Sequence, residues 1–115
     1  MRLDVCEVAG GGGSIVALGG EVGFSEVQEL KSRLDRVLKG QGGGLVIDLG
    51  EMSFIASDGL GVLIRTRAHA EQAGKVFILA RPQPRILDLM KKTKLTDIFT
   101  ICDSLEEGLA ELKSA

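Results

Sequence analysis

Apolar residues along this 115-residue chain recur with two different spacings. Short and nearly continuous apolar runs predict strands, and such runs are typical of strands buried in a parallel sheet. Other stretches place apolar residues three or four positions apart, which is the spacing of one helix face. The predicted strands are residues 3–8, 14–18, 45–49, 76–80 and 99–102. The predicted helices have their apolar positions within residues 27–38, 60–68, 86–90 and 105–112, the second helix running from 58 to 73.

These elements follow one another in the order β-β-α-β-α-β-α-β-α. Alternating strands and helices predict right-handed βαβ units and a mainly parallel sheet. The glycines at 10–13 join the first two strands, which indicates a hairpin and makes the sheet mixed. We therefore expect an α/β fold in a single domain, residues 1–115, with the helices packed mainly on one face of the sheet.

Local signals predict where three helices begin or end. Ser25 followed by Gln28, and Ser104 followed by Glu107, have the spacing of a capping box at a helix N-terminus. Gly74 follows the second helical pattern and suits the left-handed conformation that often ends a helix.

Composition argues against several classes of function. The formal net charge is -2 and aromatic residues make up 3% of the chain, so neither a basic surface nor a stacking platform for nucleic acid is indicated. No segment has the length of a membrane span or the pattern of a signal peptide, which predicts a cytoplasmic protein without membrane association. No cofactor is indicated, because the glycines at 10–13 lack the Lys-Ser/Thr of a phosphate-binding loop.

The cysteine and histidine content indicates neither a metal site nor a catalytic centre. Cys6 and Cys102 each lie among apolar residues and are predicted to be buried thiols, a disulfide between them being the alternative. His69 is the only histidine and is predicted to face solvent on the second helix, where it cannot serve Ser57 as a base. Pairing Asp48 with Asp58 as acid and base has no support from their spacing, so non-catalytic binding is the favoured class.

The stretch with the most chemical content is Ser57-Asp58-Gly59, between an apolar strand and a helix. From these residues alone, the simplest interpretation is a helix cap, because a hydroxyl can accept a hydrogen bond from an unpaired N–H at a helix start. The surrounding segment F-I-A-S-D-G-L-G resembles the signature of STAS domains, F-[IVM]-D-S-S-G-L-G, especially that of bacterial anti-sigma factor antagonists. Ala56 and Asp58 depart from that signature. The matching positions are Phe54, Ile55, Ser57, Gly59, Leu60 and Gly61.

The resemblance extends over most of the chain, through G-G-E-V near residue 20, L-V-I-D-L before the signature and L-x-D-I-F-x-I-x-D-S-L-E-E-G-L at the end. It implies phosphorylation of Ser57 by a partner that is both an anti-sigma factor and a GHKL-type serine kinase, and a phosphatase that reverses it. It also implies a weak homodimer. The partner-binding residues that it implies are Glu21, Gly23, Phe24, Asp58, Gly59, Leu60, Gly61 and Arg65, with Gly23 standing where the family often has aspartate.

Two other functions are compatible with the same resemblance. One is a STAS subunit that acts as a scaffold in a transport or signalling complex without phosphorylation. The other is a small nucleotide-binding module, for which Gly59-Leu60-Gly61 is the only sequence support.

Overall fold

A computed structural model describes residues 1–40 and 42–114, which form six strands, four α-helices and three short 3-10 turns. The predicted order of elements is confirmed, with one additional short strand between the third strand and the second helix. The elements are β1 (Arg2–Val8), β2 (Gly13–Val22), α1 (Val27–Lys39), β3 (Gly44–Asp48), β4 (Met52–Ile55), α2 (Ser57–Gln72), β5 (Val76–Ala80), α3 (Pro84–Lys92), β6 (Thr100–Cys102) and α4 (Leu105–Ser114), and the turns are Ala9–Gly11, Phe24–Glu26 and Leu95–Asp97.

The sheet has the strand order β1-β2-β3-β5-β6 and is mixed, as the sequence predicted. β1 pairs antiparallel with β2 through the hairpin, and the other pairs are parallel. β2 does not end at Leu18 as expected, but continues through Gly19 and Gly20 to Val22. Its second half pairs with β4 instead of β3, so that β2 connects two parts of the sheet.

The helices lie on both faces of the sheet, but three of the four share one face. The side chains of α1, α2 and α3 pack with β2, β3 and β5 into the larger core. α4 covers the opposite face, where Leu112 packs with Val46, Ile78 and Cys102 in a smaller core. The expected packing mainly on one face is therefore confirmed.

The structure confirms one of the two predicted capping boxes in part and contradicts the other. The Ser104 hydroxyl accepts a hydrogen bond from the Glu107 N–H at 3.1 Å, at the start of α4. Ser25, by contrast, lies inside the turn Phe24–Glu26 and does not cap α1. Glu26 performs the local capping, because its carboxylate accepts the Gly23 N–H at 3.1 Å.

The two cysteines have different environments, and both are free thiols. Cys102 is buried in the smaller core, as predicted. Cys6 is exposed, so the prediction of a buried thiol was wrong. The reason is that β1 is an edge strand on which only Leu3 is fully buried.

Candidate functional site

Ser57 is the first residue of α2 and is exposed to solvent. β4 ends at Ile55, and Ala56 occupies the extended N-cap position, where its N–H donates to the Val22 carbonyl at 2.8 Å. Ala56 has no side-chain acceptor, and the Ser57 hydroxyl makes no hydrogen bond with any residue that the structure describes. The interpretation of Ser57 as a helix cap was therefore wrong, and its hydroxyl is available to other molecules.

The start of α2 is electrostatically suited to negative charge. The first N–H groups of a helix have no partners within the helix, and the helix dipole places partial positive charge there. Gly59 and Leu60 donate their N–H groups to the Ala56 carbonyl, at 2.9 and 3.1 Å, so that the N–H groups of Ser57 and Asp58 are the ones at this helix start left without a partner among the described residues. Asp58 is exposed in the first turn, where its carboxylate is favourable for the same reason.

Pairing of β2 with β4 brings the predicted segment 21–24 to the start of α2. Glu21 lies opposite Phe54 in this parallel pair, and Val22 lies opposite Ile55, two residues before Ser57. The two segments were assigned to one surface only through the family resemblance, and the unpredicted strand β4 is what places them together. Phe24 is 77% exposed, the highest value among the large apolar side chains described.

The turn that presents Phe24 is held by Glu26. One carboxylate oxygen of Glu26 accepts the Gly23 N–H at 3.1 Å and the Ser25 hydroxyl at 3.3 Å. The other oxygen lies 3.0 Å from the Met1 α-amino group. The hydrogen bond from this ammonium group is the main cause that lowers the pKa of Glu26. The two oxygens of the Glu26 carboxylate thus hold the loop around Phe24, one through Gly23 and Ser25 and the other through the Met1 α-amino group.

The two glycines of the signature have different environments. Gly61 is exposed, and a side chain there would meet open space. Gly59 is buried, and a Cβ atom there would lie 2.8 Å from a side-chain carbon of Ile55. Gly59 therefore lets α2 pack closely on β4, and its lack of a side chain opens no space at the surface.

Leu60 and Arg65 both have structural roles within the domain. Leu60 is 7% exposed and belongs to the larger core. Arg65 points to α1, where its guanidinium donates two hydrogen bonds to the Asp35 carboxylate, both at 3.0 Å. These hydrogen bonds are the main cause that lowers the pKa of Asp35. A partner would compete with this ion pair for Arg65, and its role in binding stays a prediction.

A second ion pair supports the turn that leads into β4. Asp48 is buried, and Arg81 donates to its two carboxylate oxygens at 2.7 and 3.0 Å. The Gly50 N–H donates to the same carboxylate at 3.0 Å, and Gln83 donates to the Gly50 carbonyl at 3.0 Å. The Asp48 carboxylate therefore has a structural role in this turn and is not an acid–base partner of Asp58. No sequence signal pointed to Arg81, which lies 33 residues away from Asp48 in the chain.

Within residues 1–40 and 42–114, nothing indicates a metal centre or a base for Ser57. The described residues contain no group of three or more His, Cys, Asp or Glu that could hold a metal ion. His69 is exposed on α2, as predicted, and its position twelve residues along the helix places it about 18 Å from Ser57. None of the described helices has the length and apolarity needed to cross a membrane.

The sequence pattern of the STAS domain family matches residues 7–108. The chain belongs to the STAS domain family. A curated relative, "Putative anti-sigma factor antagonist BtrV" of Bordetella bronchiseptica, is 28% identical over 102 residues, covering 88% of this chain and 87% of the relative. Sequence and fold therefore agree with the family that residues 54–61 indicated.

Solved structures of other proteins share the fold. A Thermotoga maritima protein described as a "putative anti-sigma factor antagonist" superposes with a TM-score of 0.87 at 20% identity, over 96% of this chain and 94% of that one. The Bacillus cell fate determinant SpoIIAA, solved in its phosphorylated form, gives a TM-score of 0.74 at 17% identity, over 96% and 99% of the two chains. At these identities the likeness shows the common STAS fold.

Proposed function

We propose that this STAS domain is a cytoplasmic, non-catalytic anti-sigma factor antagonist. In its unphosphorylated form it binds an anti-sigma factor that is also a GHKL-type serine kinase, and it thereby releases the sigma factor held by that partner. Phosphorylation of Ser57 ends the binding, and a phosphatase restores it. Relatives named as anti-sigma factor antagonists support this assignment.

The observation that carries the proposal is the state of Ser57 at the start of α2. Its hydroxyl is exposed and makes no hydrogen bond with the described residues, so a kinase can reach it without local unfolding. The segment with Glu21, Gly23 and Phe24 lies beside it through the β2–β4 pair. A partner can therefore contact the phosphoacceptor and this loop together.

A phosphate on Ser57 would act mainly on the partner and not on the fold. It adds about -1.5 to -2 charge and three acceptor oxygens, and the start of a helix accommodates an anion. The added charge lies next to Asp58, at a surface where the partner packs against a small hydroxyl. Unpaired and desolvated charge at an interface weakens binding by about 1–3 kcal/mol.

The test combines partner identification with titration of defined variants. A tagged copy is purified from its native cells, the bound proteins are identified, and phosphate on Ser57 is mapped by mass spectrometry. The purified anti-sigma factor is then titrated calorimetrically with wild type, Ser57→Ala and Ser57→Asp at two salt concentrations. We expect Ser57→Ala to bind like the unphosphorylated protein, and Ser57→Asp to lose about 1–3 kcal/mol, with a smaller loss at high salt.

Ser32 provides the matched control, since it is an exposed serine on α1. Ser32→Asp adds the same charge on a different helix and should bind as wild type does. Equal affinity of wild type, Ser57→Ala and Ser57→Asp, together with no phosphate on Ser57, would contradict the switch. The scaffold function without phosphorylation would then be favoured.

A further inference from the structure

A groove of about 290 Å³ lies between β4 and α3. Its exposed lining is mainly apolar. The side chains that line it include Phe54 and Ile55 of β4 and Arg85, Ile86, Leu89 and Lys92 of α3. We call it the β4–α3 groove.

The β4–α3 groove leaves apolar surface in contact with water. Ile55 and Ile86 are buried, whereas Phe54 is 47% exposed and Leu89 is 36% exposed. Two large apolar side chains that flank one depression form a contiguous patch, and such patches mark binding sites more often than isolated exposed residues do. Phe54 belongs to the signature, yet its side chain contributes little to the core.

The charges at the rim of the groove are not balanced within the domain. Lys92 pairs with Asp88 at 3.0 Å. Arg85 is exposed and has no ion pair or hydrogen bond with the described residues. A group that pairs with Arg85 is therefore expected to be a carboxylate, because a guanidinium can bind a carboxylate through two parallel hydrogen bonds.

The groove lies within the area that a partner on Ser57 would cover. Phe54 precedes Ser57 by three residues, so that their Cα atoms are at most about 11 Å apart. A specific protein interface covers about 800 Å² on each partner, which corresponds to a patch about 30 Å across. A partner centred on Ser57 can therefore reach Phe54, which lines the groove.

We infer that the β4–α3 groove receives a large apolar side chain of the anti-sigma factor, next to an acidic residue that pairs with Arg85. The inference rests on the proposed function and extends the binding surface to α3. The volume of about 290 Å³ is at the lower limit of small-molecule pockets, which hold about 300–1,000 Å³. It suits one or two side chains better than a nucleotide.

The test titrates the purified anti-sigma factor with Leu89→Ala and Arg85→Ala, each made in the 115-residue chain. Both residues are on the surface, so both variants should fold, which circular dichroism and urea unfolding verify. Leu89→Ala should bind at least about tenfold more weakly, which corresponds to about 1.4 kcal/mol, because an anchor side chain carries a large share of the binding energy. Arg85→Ala should bind several-fold more weakly, and its deficit should shrink as salt is raised.

Two variants outside the groove serve as matched controls. Val5→Ala removes apolar surface from edge strand β1, where Val5 is 47% exposed, and Arg36→Ala removes an exposed cation from α1. Both should bind as wild type does. If wild type binds the anti-sigma factor and the Leu89 and Arg85 variants bind it with the same affinity, the groove is not part of the interface. The proposed function would then remain intact.

Two further outcomes would also decide against the inference. If wild type does not bind the anti-sigma factor at all, the proposed function is wrong, and so is the inference that the groove binds a side chain of that partner. If GTP, added to wild type without the partner, shifts the amide resonances of residues 53–55 and 85–92, the groove is a nucleotide site. These outcomes differ from the selective loss of partner binding that the inference requires.

Discussion

Ser57 and Leu60 are three residues apart on α2, yet one faces solvent and the other the core. The sequence places Ser57 between an apolar strand and an amphipathic helix, a position that is typical of the surface, and Ser57 is exposed there. Leu60 lies on the apolar helix face that the sequence predicted within residues 60–68, and that face packs into the larger core. The pairing of Arg65 with Asp35 could not be predicted, because the two residues are 30 positions apart and meet only when α1 packs on α2.

The environment of Leu60 leads to a prediction about folding. At 7% exposure in the larger core, Leu60→Ala should lower the free energy of unfolding by about 2–4 kcal/mol, through lost burial and a residual cavity. Urea unfolding measures this loss. The family resemblance implies that the variant also weakens partner binding.

Leu63→Ala separates the two effects, since Leu63 is fully buried in the same core. Both variants are titrated with the anti-sigma factor under conditions in which both are folded. A lower affinity for Leu60→Ala than for Leu63→Ala is expected if Leu60 touches the partner. Equal affinities would remove Leu60 from the binding surface.

At the level of elements, the sequence predicted every helix and all strands except β4. This strand has four residues and the burial pattern buried-exposed-exposed-buried, which matches neither alternation nor a continuous apolar run. It exists because β2 is long enough to pair with β3 and then with β4. Such a division of one strand between two partners depends on tertiary structure, and residues 14–22 alone do not reveal it.

The turn from β3 to β4 depends on Asp48, and its contribution should vary with pH. Burial acts to raise the pKa of Asp48, but the hydrogen bonds from Arg81 and Gly50 and the charge of Arg81 outweigh burial and lower it. A carboxylate with a lowered pKa in the folded state stabilises the fold above the ordinary aspartate pKa of about 3.9. This contribution disappears as the pH falls through the lower folded-state pKa.

Asp48→Asn should therefore be less stable than wild type at pH 7, by about 1 kcal/mol or more, because Arg81 loses its charged partner. The difference should shrink as the pH falls below about 4, because the Asp48 carboxylate becomes protonated first in the unfolded chain and then, at its lower pKa, in the folded protein. Urea unfolding at pH 7 and pH 3 measures both values. Asp4→Asn is the control on exposed β1, and a difference between Asp48→Asn and wild type that stays constant with pH would contradict this explanation.

At the level of the whole molecule, the sheet separates two cores of unequal size. The larger core contains the apolar faces of α1, α2 and α3, and the smaller core is closed by α4 alone. The sequence predicted the apolar stripe of α4, but the side of the sheet that it covers follows from the path of the chain after β6. Because regions with few buried contacts open at lower free energy than the whole domain, α4 is the helix expected to detach first.

Cys102 reports on this opening, because its thiol lies in the smaller core under α4. Cys6 is exposed and serves as the reference thiol in the same protein. Burial is the main cause that raises the pKa of Cys102, with smaller contributions from Glu111, Glu107 and Asp103. Both effects slow its reaction with thiol reagents, since the thiolate is the reactive form. In the folded protein, a disulfide reagent such as DTNB should modify Cys6 rapidly and Cys102 slowly, and in denaturant it should modify both.

Leu112→Ala tests whether the slow reaction reflects detachment of α4. Leu112 is 3% exposed in the smaller core, so its truncation should weaken the contact between α4 and the sheet. In a Cys6→Ser background, Cys102 of this variant should react at least about tenfold faster, whereas Leu34→Ala in the larger core should accelerate the reaction only as far as it destabilises the whole domain. Comparison of each variant's reaction rate with its free energy of unfolding in urea distinguishes reaction through detachment of α4 from reaction through global unfolding. Equal acceleration at equal loss of stability would show that Cys102 reacts only after global unfolding, and that the two cores open together.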